Sequence, residues 1–260
     1  MMTISIRRAY PVLIILYLAL TLAGCATTPT LPPEEPAMHS NSEFADDEQI
    51  LANDPMEGYN RSMYKFNYNF DKYVFLPVVD TYEFILPTFA QTGVTNFFNN
   101  IGEGRTLYNS LLQAKGTKAM ITVGRLLTNS TIGIGGLFDP ATSLGMKRQN
   151  EDFGQTLGVW GVGAGPYFVL PVLGPGTVRS ASGFVVDTAI HSEAITILKN
   201  STAPHMSDGT KNTIANSLAA LKAIDNRHKQ AFRYHDSGYP IEYELVQFLF
   251  RQSRELQTMK

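Results

Sequence analysis

The residues with chemistry to offer are few and widely spaced. Cys25 is the only cysteine of the chain; it follows Leu22-Ala23-Gly24 at the end of an apolar run from Val12 to Ala23, with Arg7 and Arg8 ahead of it. This is a leader pattern, and the run is shorter than the ~18 residues that suggest a spanning helix. Small residues directly before such a cysteine form a lipobox. The Cys25 thiol would be diacylglyceryl-modified, the peptide cut before it, and the new amine acylated with a chain such as palmitate. Each buried CH₂ contributes about 0.8 kcal/mol, so several chains anchor firmly. Ala26 stands where an Asp would retain such a lipoprotein at the inner membrane, which points to the outer membrane. A single cysteine excludes an intramolecular disulfide and a cysteine-based metal site.

Signals for catalysis are weak. Gly161-Val162-Gly163-Ala164-Gly165-Pro166 looks like a dinucleotide fingerprint, but Pro166 occupies the third glycine's place and no strand-loop-helix unit frames it. Gly133, Gly135 and Gly136 are followed by no Lys-Ser/Thr pair, so they form no P-loop. Ser180 and Ser182 lie near Gly183 without a G-x-S-x-G elbow. The histidines are His39, His191, His205, His228 and His235; no two stand four apart, and no H-E-x-x-H occurs, so no metal site is expected. His228 with Asp225 reads as a solvated helix face. Arg179 and Asp187 fit either an ion pair within the protein or contact with a lipid headgroup. A net charge of -2 gives no basic footprint for nucleic acid. No catalytic residue, cofactor or metal follows from these motifs.

The elements that would carry such residues come in three parts. Residues 1–24 are the leader. Residues 25–52, with TTPTLPPEEPAMHSNSEFADDEQ, are the lipidated N-terminus and a flexible linker. Residues 53–258 are long enough for one domain with a sizeable core. Its first helix starts at Asp54-Pro55-Met56-Glu57, with Asp54 as cap, Pro55 at the first position and Glu57 closing a capping box. Met56, Tyr59, Met63, Phe66, Phe70 and Tyr73 form one apolar stripe on it, which fits a soluble core or a membrane face equally well. Pro77 and Pro87 break the next segment. A second helix carries Phe89, Phe97, Phe98 and Ile101. A third runs from Thr106 to Gln113, and Thr117 caps a fourth. Further helices are expected over Gly176–Ile190, Asp208–Phe232 and Pro240–Gln257, with no clear strands and no repeats.

Asn129 to Arg179 organises the rest. Eleven of the 21 glycines fall between Gly133 and Gly176, and no charged residue or histidine occurs from Phe153 to Val178. Glycine and proline, at about 1 and 3 kcal/mol each against Ala, exclude a single spanning helix. The stretch reads either as a glycine-rich loop over an ordinary core, or as a re-entrant hairpin at membrane depth with the charged Lys147–Asp152 as its tip. Gly154 to Trp160 forms a short helix, and Gly165-Pro166-Tyr167 and Leu170-Pro171 favour extended chain.

Together these motifs resemble the MlaA/VacJ family of outer-membrane lipoproteins. The resemblance rests on Leu22-Ala23-Gly24-Cys25, on Asp54 to Arg61 with Tyr64, Phe66 and Asn67, and on Asn129 to Gly136 with Asp139. It continues through Phe153-Gly154-Gln155-Thr156-Leu157-Gly158, Gly161-Val162-Gly163, Gly165-Pro166-Tyr167, Leu170-Pro171, Gly174-Pro175 and Arg179. It is close over Asn53–Arg179 and loose over the last helices. It implies a mainly α, ring-like (donut) domain of amphipathic helices in the inner leaflet of the outer membrane, with a glycine-rich hairpin beside a central lipid channel. Gly133, Gly135, Gly136, Phe153, Gly154, Gly158, Gly161 and Gly163 would line or gate it, and Arg179 would meet a headgroup. The implied work is transport: mislocalised phospholipid leaves the outer leaflet for a soluble periplasmic carrier, beside a trimeric porin, and membrane asymmetry is kept. No enzyme activity is implied. The alternative from a different class is a membrane-anchored lipid hydrolase of phospholipase type.

Overall fold

The computed structural model describes residues 54–202, 207–236 and 241–259. The chain divides into two units, Met1–Ala37 and Met38–Lys260. The leader, Cys25, Ala26, the linker to residue 52, His39, His205 and Pro240 lie outside the described residues. The described chain is mainly helical. It runs α1 (Glu57–Phe70), a π turn (Asp71–Phe75), α2 (Leu76–Ile85), α3 (Thr88–Leu112), α4 (Gly116–Thr131), α5 (Pro140–Ser143) and α6 (Phe153–Val159). Strands β1 (Tyr167–Leu170) and β2 (Gly174–Thr177) follow, then α7 (Val178–Thr202), α8 (Asp208–His228) and α9 (Glu242–Met259). Among these no helix is long and apolar enough to cross a membrane.

Several sequence expectations need correction. Asp54 accepts the Met56 N–H at 3.0 Å, but Glu57 turns away to Arg61 at 2.7 Å, so Met56 and not a capping box opens α1. Pro77 does not break the chain; it sits in the first turn of α2, where its missing N–H costs nothing, directly after the π turn. The expected second and third helices are one, α3, since Gly102 and Gly104 each cost only about 1 kcal/mol within it. Thr117 caps nothing: α4 begins at Gly116 after Lys115. The extended segment is paired as an antiparallel hairpin, Tyr167 opposite Thr177 and Leu170 opposite Gly174. Two asparagines on one face of α1 satisfy the free edge of β1. Asn60 accepts the Val169 N–H at 2.8 Å and donates to Tyr167 O at 3.3 Å; Asn67 accepts the Val172 N–H at 2.7 Å and donates to Leu170 O at 2.9 Å.

The polarity of the packing is inverted. On α1 the buried residues are Asn60, Tyr64, Asn67 and Tyr68, while Met56, Tyr59, Phe66 and Tyr73 of the apolar stripe are exposed. On α9 Glu242, Tyr243, Glu244 and Gln247 are buried and Leu249 and Leu256 exposed. Phe84 on α2 and Phe89 on α3 are 91% and 80% exposed. Among the described residues, buried polar and charged side chains outnumber buried apolar ones. The apolar core is small: Tyr64, Tyr167, Val169 and Tyr243, with Tyr234 meeting Tyr64 edge-on at 4.9 Å.

Buried polar groups are tolerated only when paired, and here ion pairs join distant helices. Arg125, 1% exposed on α4, donates from Nε to Glu103 of α3 at 2.7 Å. Its Nη1 reaches Thr142 at 2.9 Å and Met146 O at 2.6 Å, and its Nη2 reaches Asp139 at 3.1 Å. Asp71 in the π turn takes both arms of Arg227 from α8, at 2.5 and 2.7 Å. Asp152 takes both arms of Arg254 from α9, at 2.7 and 2.8 Å.

Removing one partner from a buried pair typically costs about 3–5 kcal/mol. Arg125→Met, similar in length but uncharged, should lose stability of that order in denaturant titration, because Glu103 and Asp139 stay behind unpaired. A loss below about 1 kcal/mol, the value of a surface pair, would show that Arg125 does not hold α3, α4 and α5 together.

Candidate functional site

The loop between α4 and α5 is built on asparagine and aspartate. Asn129, at the end of α4, donates to Asp139 at 2.9 Å and accepts the Ala141 N–H at 3.1 Å. Asp139 caps α5 by accepting the Thr142 N–H. Burial pushes the Asp139 carboxyl up, but bonds from Thr142, Asn129 and Arg125 outweigh it and hold the group at about 2. From α3, Asn96 donates to Leu137 O at 3.3 Å and Asn100 to Ser130 at 3.0 Å. On this polar base stands an apolar crown: Ile132, Ile134, Leu137 and Phe138 are all exposed. Ile134, Gly135 and Gly136 have φ of 52°, 68° and 93°, three left-handed residues in a row, one of them β-branched. The two glycines take this φ freely, but at Ile134 it is strained and persists only where its surroundings impose it.

The glycines singled out in the sequence divide by physical role. A Cβ on Gly133 would run into the Asn129 and Phe138 carbonyl oxygens, and one on Gly136 would lie 2.5 Å from Asn100 Cβ. Gly135 faces open space and is fixed by its φ alone. Gly154 and Gly183 let α6 and α7 cross in near backbone contact: a Cβ on Gly183 would overlap Gly154 N, and one on Gly154 would meet Ser180 Cα at 3.1 Å. At Gly158 it would lie 2.5 Å from Thr258 and 3.1 Å from Arg179 Cζ. Gly161 and Gly163 have nothing within reach, although Gly161 turns the chain at φ 89°. Phe153 is half-buried, edge-on to Trp160 at 5.9 Å, and its N–H donates to Asp187 at 3.1 Å.

The charged insert divides: Arg148 and Asn150 are exposed, but its last two residues turn inward. Lys147 is exposed, but Glu151 is buried and bonded to Lys118, and Asp152 accepts the Gln155 N–H as cap of α6. Burial raises the Asp152 carboxyl, and Arg254 with Gln155 more than reverses this, holding it at about 2. Nor do Arg179 and Asp187 pair. Arg179 Nη1 donates to Val162 O at 2.9 Å, and Asp187 accepts from Tyr108, from Asn109 at 3.2 Å and from the Phe153 N–H. His228 bonds Glu83 on α2 at 2.6 Å, not Asp225, which is fully buried against Thr95 and Lys229. Ser180 accepts the Thr177 N–H at 2.7 Å and donates to Thr177 O at 3.0 Å, so its hydroxyl is committed to the start of α7. Ser182 donates to Arg179 O. Neither serine meets a histidine. Among the described residues no three His, Cys, Asp or Glu side chains are grouped to hold a metal.

Residues 52–257 match the family model described as MlaA lipoprotein. The chain belongs to the MlaA lipoprotein family. It is similar to the intermembrane phospholipid transport system lipoprotein MlaA of Escherichia coli (strain K12), 38% identical over 138 residues, which are 52% of this chain and 55% of that one. The protein of the same name from Haemophilus influenzae is 38% identical over 140 residues, 53% and 56% of the two chains. An uncharacterised protein of Rickettsia prowazekii is 38% identical over 133 residues, 51% and 53%. The chain spans about half the length of the relatives it matches. A solved structure reported as "Structural basis for maintenance of bacterial outer membrane lipid asymmetry" is 28% identical with a TM-score of 0.63, covering 80% of this chain and all of that one.

Two buried arginines escaped sequence reading. Arg125 and Arg254 sit on helices whose neighbours gave no hint of a buried cation; only the Asp152-x-x-Gln155 capping spacing pointed towards Asp152. The helix crossing makes a sharp prediction. Gly183→Ala should lower thermal stability by about 1–3 kcal/mol, the typical cost of overpacking, because the atom it strikes is backbone. Gly163→Ala should be silent. Equal effects of the two in thermal unfolding would contradict the crossing.

Proposed function

We propose that this chain is an outer-membrane lipoprotein that moves phospholipid. Anchored through Cys25, a ring-like body seated in the inner leaflet takes mislocalised phospholipid from the outer leaflet and passes it through an amphipathic channel. A soluble periplasmic carrier receives it, with a trimeric porin alongside, so the membrane stays asymmetric. The observation that carries this reading is the inverted polarity. Exposed Phe84, Phe89 and their neighbours suit contact with acyl chains, whereas the interior is lined with charge and amide. A diacyl lipid crossing a leaflet needs both: a polar route for its headgroup and an apolar exit for its tails. The names of the relatives support the same reading.

The wall beside that route would be the loop of Gly133, Gly135 and Gly136, hinging on its asparagine base while its apolar crown stays in lipid. Gly154, Gly158 and Phe153 would hold the opposite side through the α6–α7 crossing, with Gly161 and Gly163 leaving room there. Arg179, buried on Val162 O, would steady that side and touch a headgroup only from behind it. The proposal involves no bond cleavage, and the commitment of Ser180 and Ser182 to backbone favours transfer over hydrolysis.

The purified full chain, mixed with vesicles holding labelled phosphatidylethanolamine, should remove intact labelled lipid. Lysolipid or free fatty acid would establish the hydrolase instead. In cells, Gly135→Ala meets no steric obstacle and adds only the ~1–2 kcal/mol of a left-handed residue. It should leave protein level near normal while disturbing outer-leaflet phospholipid. Normal asymmetry at normal level would move the gate away from this loop.

A further inference from the structure

Arg105, His191 and Lys222 come from three helices that meet along α3. Helix α7 joins α3 where Tyr108 and Asn109 donate to Asp187, and His191 follows Asp187 by one turn on the same face. Helix α8 joins α3 where Thr95 donates to Asp225, and Lys222 precedes Asp225 by three residues, again on the same face. Arg105 stands one turn before Tyr108 and Asn109. Its Nη2 donates to Asn150 at 2.9 Å, and its Nε is buried with no hydrogen-bond partner.

The acids nearest these cations along the helices have other partners. Asp187 accepts from Tyr108, Asn109 and the Phe153 N–H; Asp225 accepts from Thr95 and pairs with Lys229 at 2.7 Å; Glu103 is held by Arg125 through one oxygen, while its Oε2 makes no hydrogen bond. Burial lowers the pKa of Lys222, and Arg105 and Lys229 lower it further. Burial, then Lys222 and Arg105, do the same for His191. At Arg125, Arg227 and Arg254 buried charge is answered by opposite charge; here positive charge faces positive charge. Such an arrangement costs stability unless an anion completes it.

We propose that Arg105, His191 and Lys222 form an anion subsite for the phosphate of a phospholipid headgroup, a proposal that rests on the transport reading above. The Arg105 guanidinium can offer Nε–H and an Nη hydrogen together to two phosphate oxygens, the Lys222 ammonium supplies a point charge, and neutral His191 donates one ring N–H. The tails would remain towards the apolar surface.

The full chain, loaded from vesicles of phosphatidylethanolamine and phosphatidylglycerol, is compared with Arg105→Gln, Lys222→Gln and the double variant. Three probes are measured: retained phospholipid, retained diacylglycerol of the same acyl chains, and inorganic phosphate in solution. Losing a charge-assisted bond should cut retained phospholipid by about tenfold. Diacylglycerol, which lacks the phosphate, should be retained as before, and the melting temperature of the lipid-free variants should rise as like charges are removed. A purely structural role would lower the melting temperature and release both lipids alike, which overturns the subsite. Unchanged phospholipid in the double variant overturns it too. Phosphate binding that is lost in the variants without any change in phospholipid would assign the cluster to the free ion, and the headgroup role falls. A wild-type chain that retains neither lipid contradicts the transport reading itself; the phosphate arm then decides whether an anion site exists at all. Lys222→Gln alone carries the test should Arg105→Gln fail to fold.

Discussion

The junctions between α3, α4 and α5, and those of α8 and α9 with the rest, depend on answering charge inside the fold. Arg125 is the clearest case: five donor hydrogens on a rigid guanidinium, almost no solvent, and acceptors drawn from α3, from α5 and from the chain on either side of α5. A side chain that is buried and always charged fixes the position of whatever surrounds it, since a shift of one helix leaves a carboxylate or guanidinium bare. The Asp71–Arg227 and Asp152–Arg254 pairs extend the constraint to α8 and α9. Hydrophobic burial cannot perform this task here, because the large apolar side chains mostly point outward.

The same constraint explains the glycines and asparagines. Polar partners are short-range, so elements must approach closely to reach one another. Gly154 and Gly183 bring α6 against α7, which in turn lets the Phe153 N–H reach Asp187. Asn60 and Asn67 do the work of a third strand beside β1 without adding one. Asn129 and Asp139 tie down the base of a loop whose exposed residues are all apolar. A polar frame inside, with apolar groups displayed outside, is the arrangement that a body surrounded by acyl chains requires.

Much of this was legible in the sequence, and the remainder was hidden for identifiable reasons. The helices over Glu57–Phe70 and Asp208–His228, the short helix at Phe153–Val159 and the extended Tyr167–Leu170 segment follow from period, caps and proline placement. The family is carried by motifs in order, from Asp54 to Arg179. What periodicity could not decide is which face of a stripe turns inward. Met56, Tyr59 and Phe66 form the same pattern whether they pack on a core or meet lipid, and only the partners of Asn60 and Asn67, more than a hundred residues away, resolve it. Long-range pairing also divides the charged insert, whose Lys147 and Arg148 remain exposed. Glu151 and Asp152 look solvated by themselves, but Glu151 is buried against Lys118 and Asp152 is half-buried against Arg254. For the glycines, sequence marks where they are but not whether φ or space requires them: Gly135 stands in open space at a left-handed φ, whereas a Cβ on Gly183 would strike the backbone of Gly154.

The central claim is that the apolar exterior faces acyl chains, and Trp160 tests it directly. It is the only tryptophan, 54% exposed, at the end of α6 beside exposed Val159 and Val162, with its indole N–H satisfied by Leu112 O at 3.1 Å. The full chain reconstituted in vesicles should show Trp160 fluorescence quenched by phospholipids brominated on their acyl chains and insensitive to iodide in the water. Quenching by iodide with no response to brominated chains would place this surface in water and contradict the account.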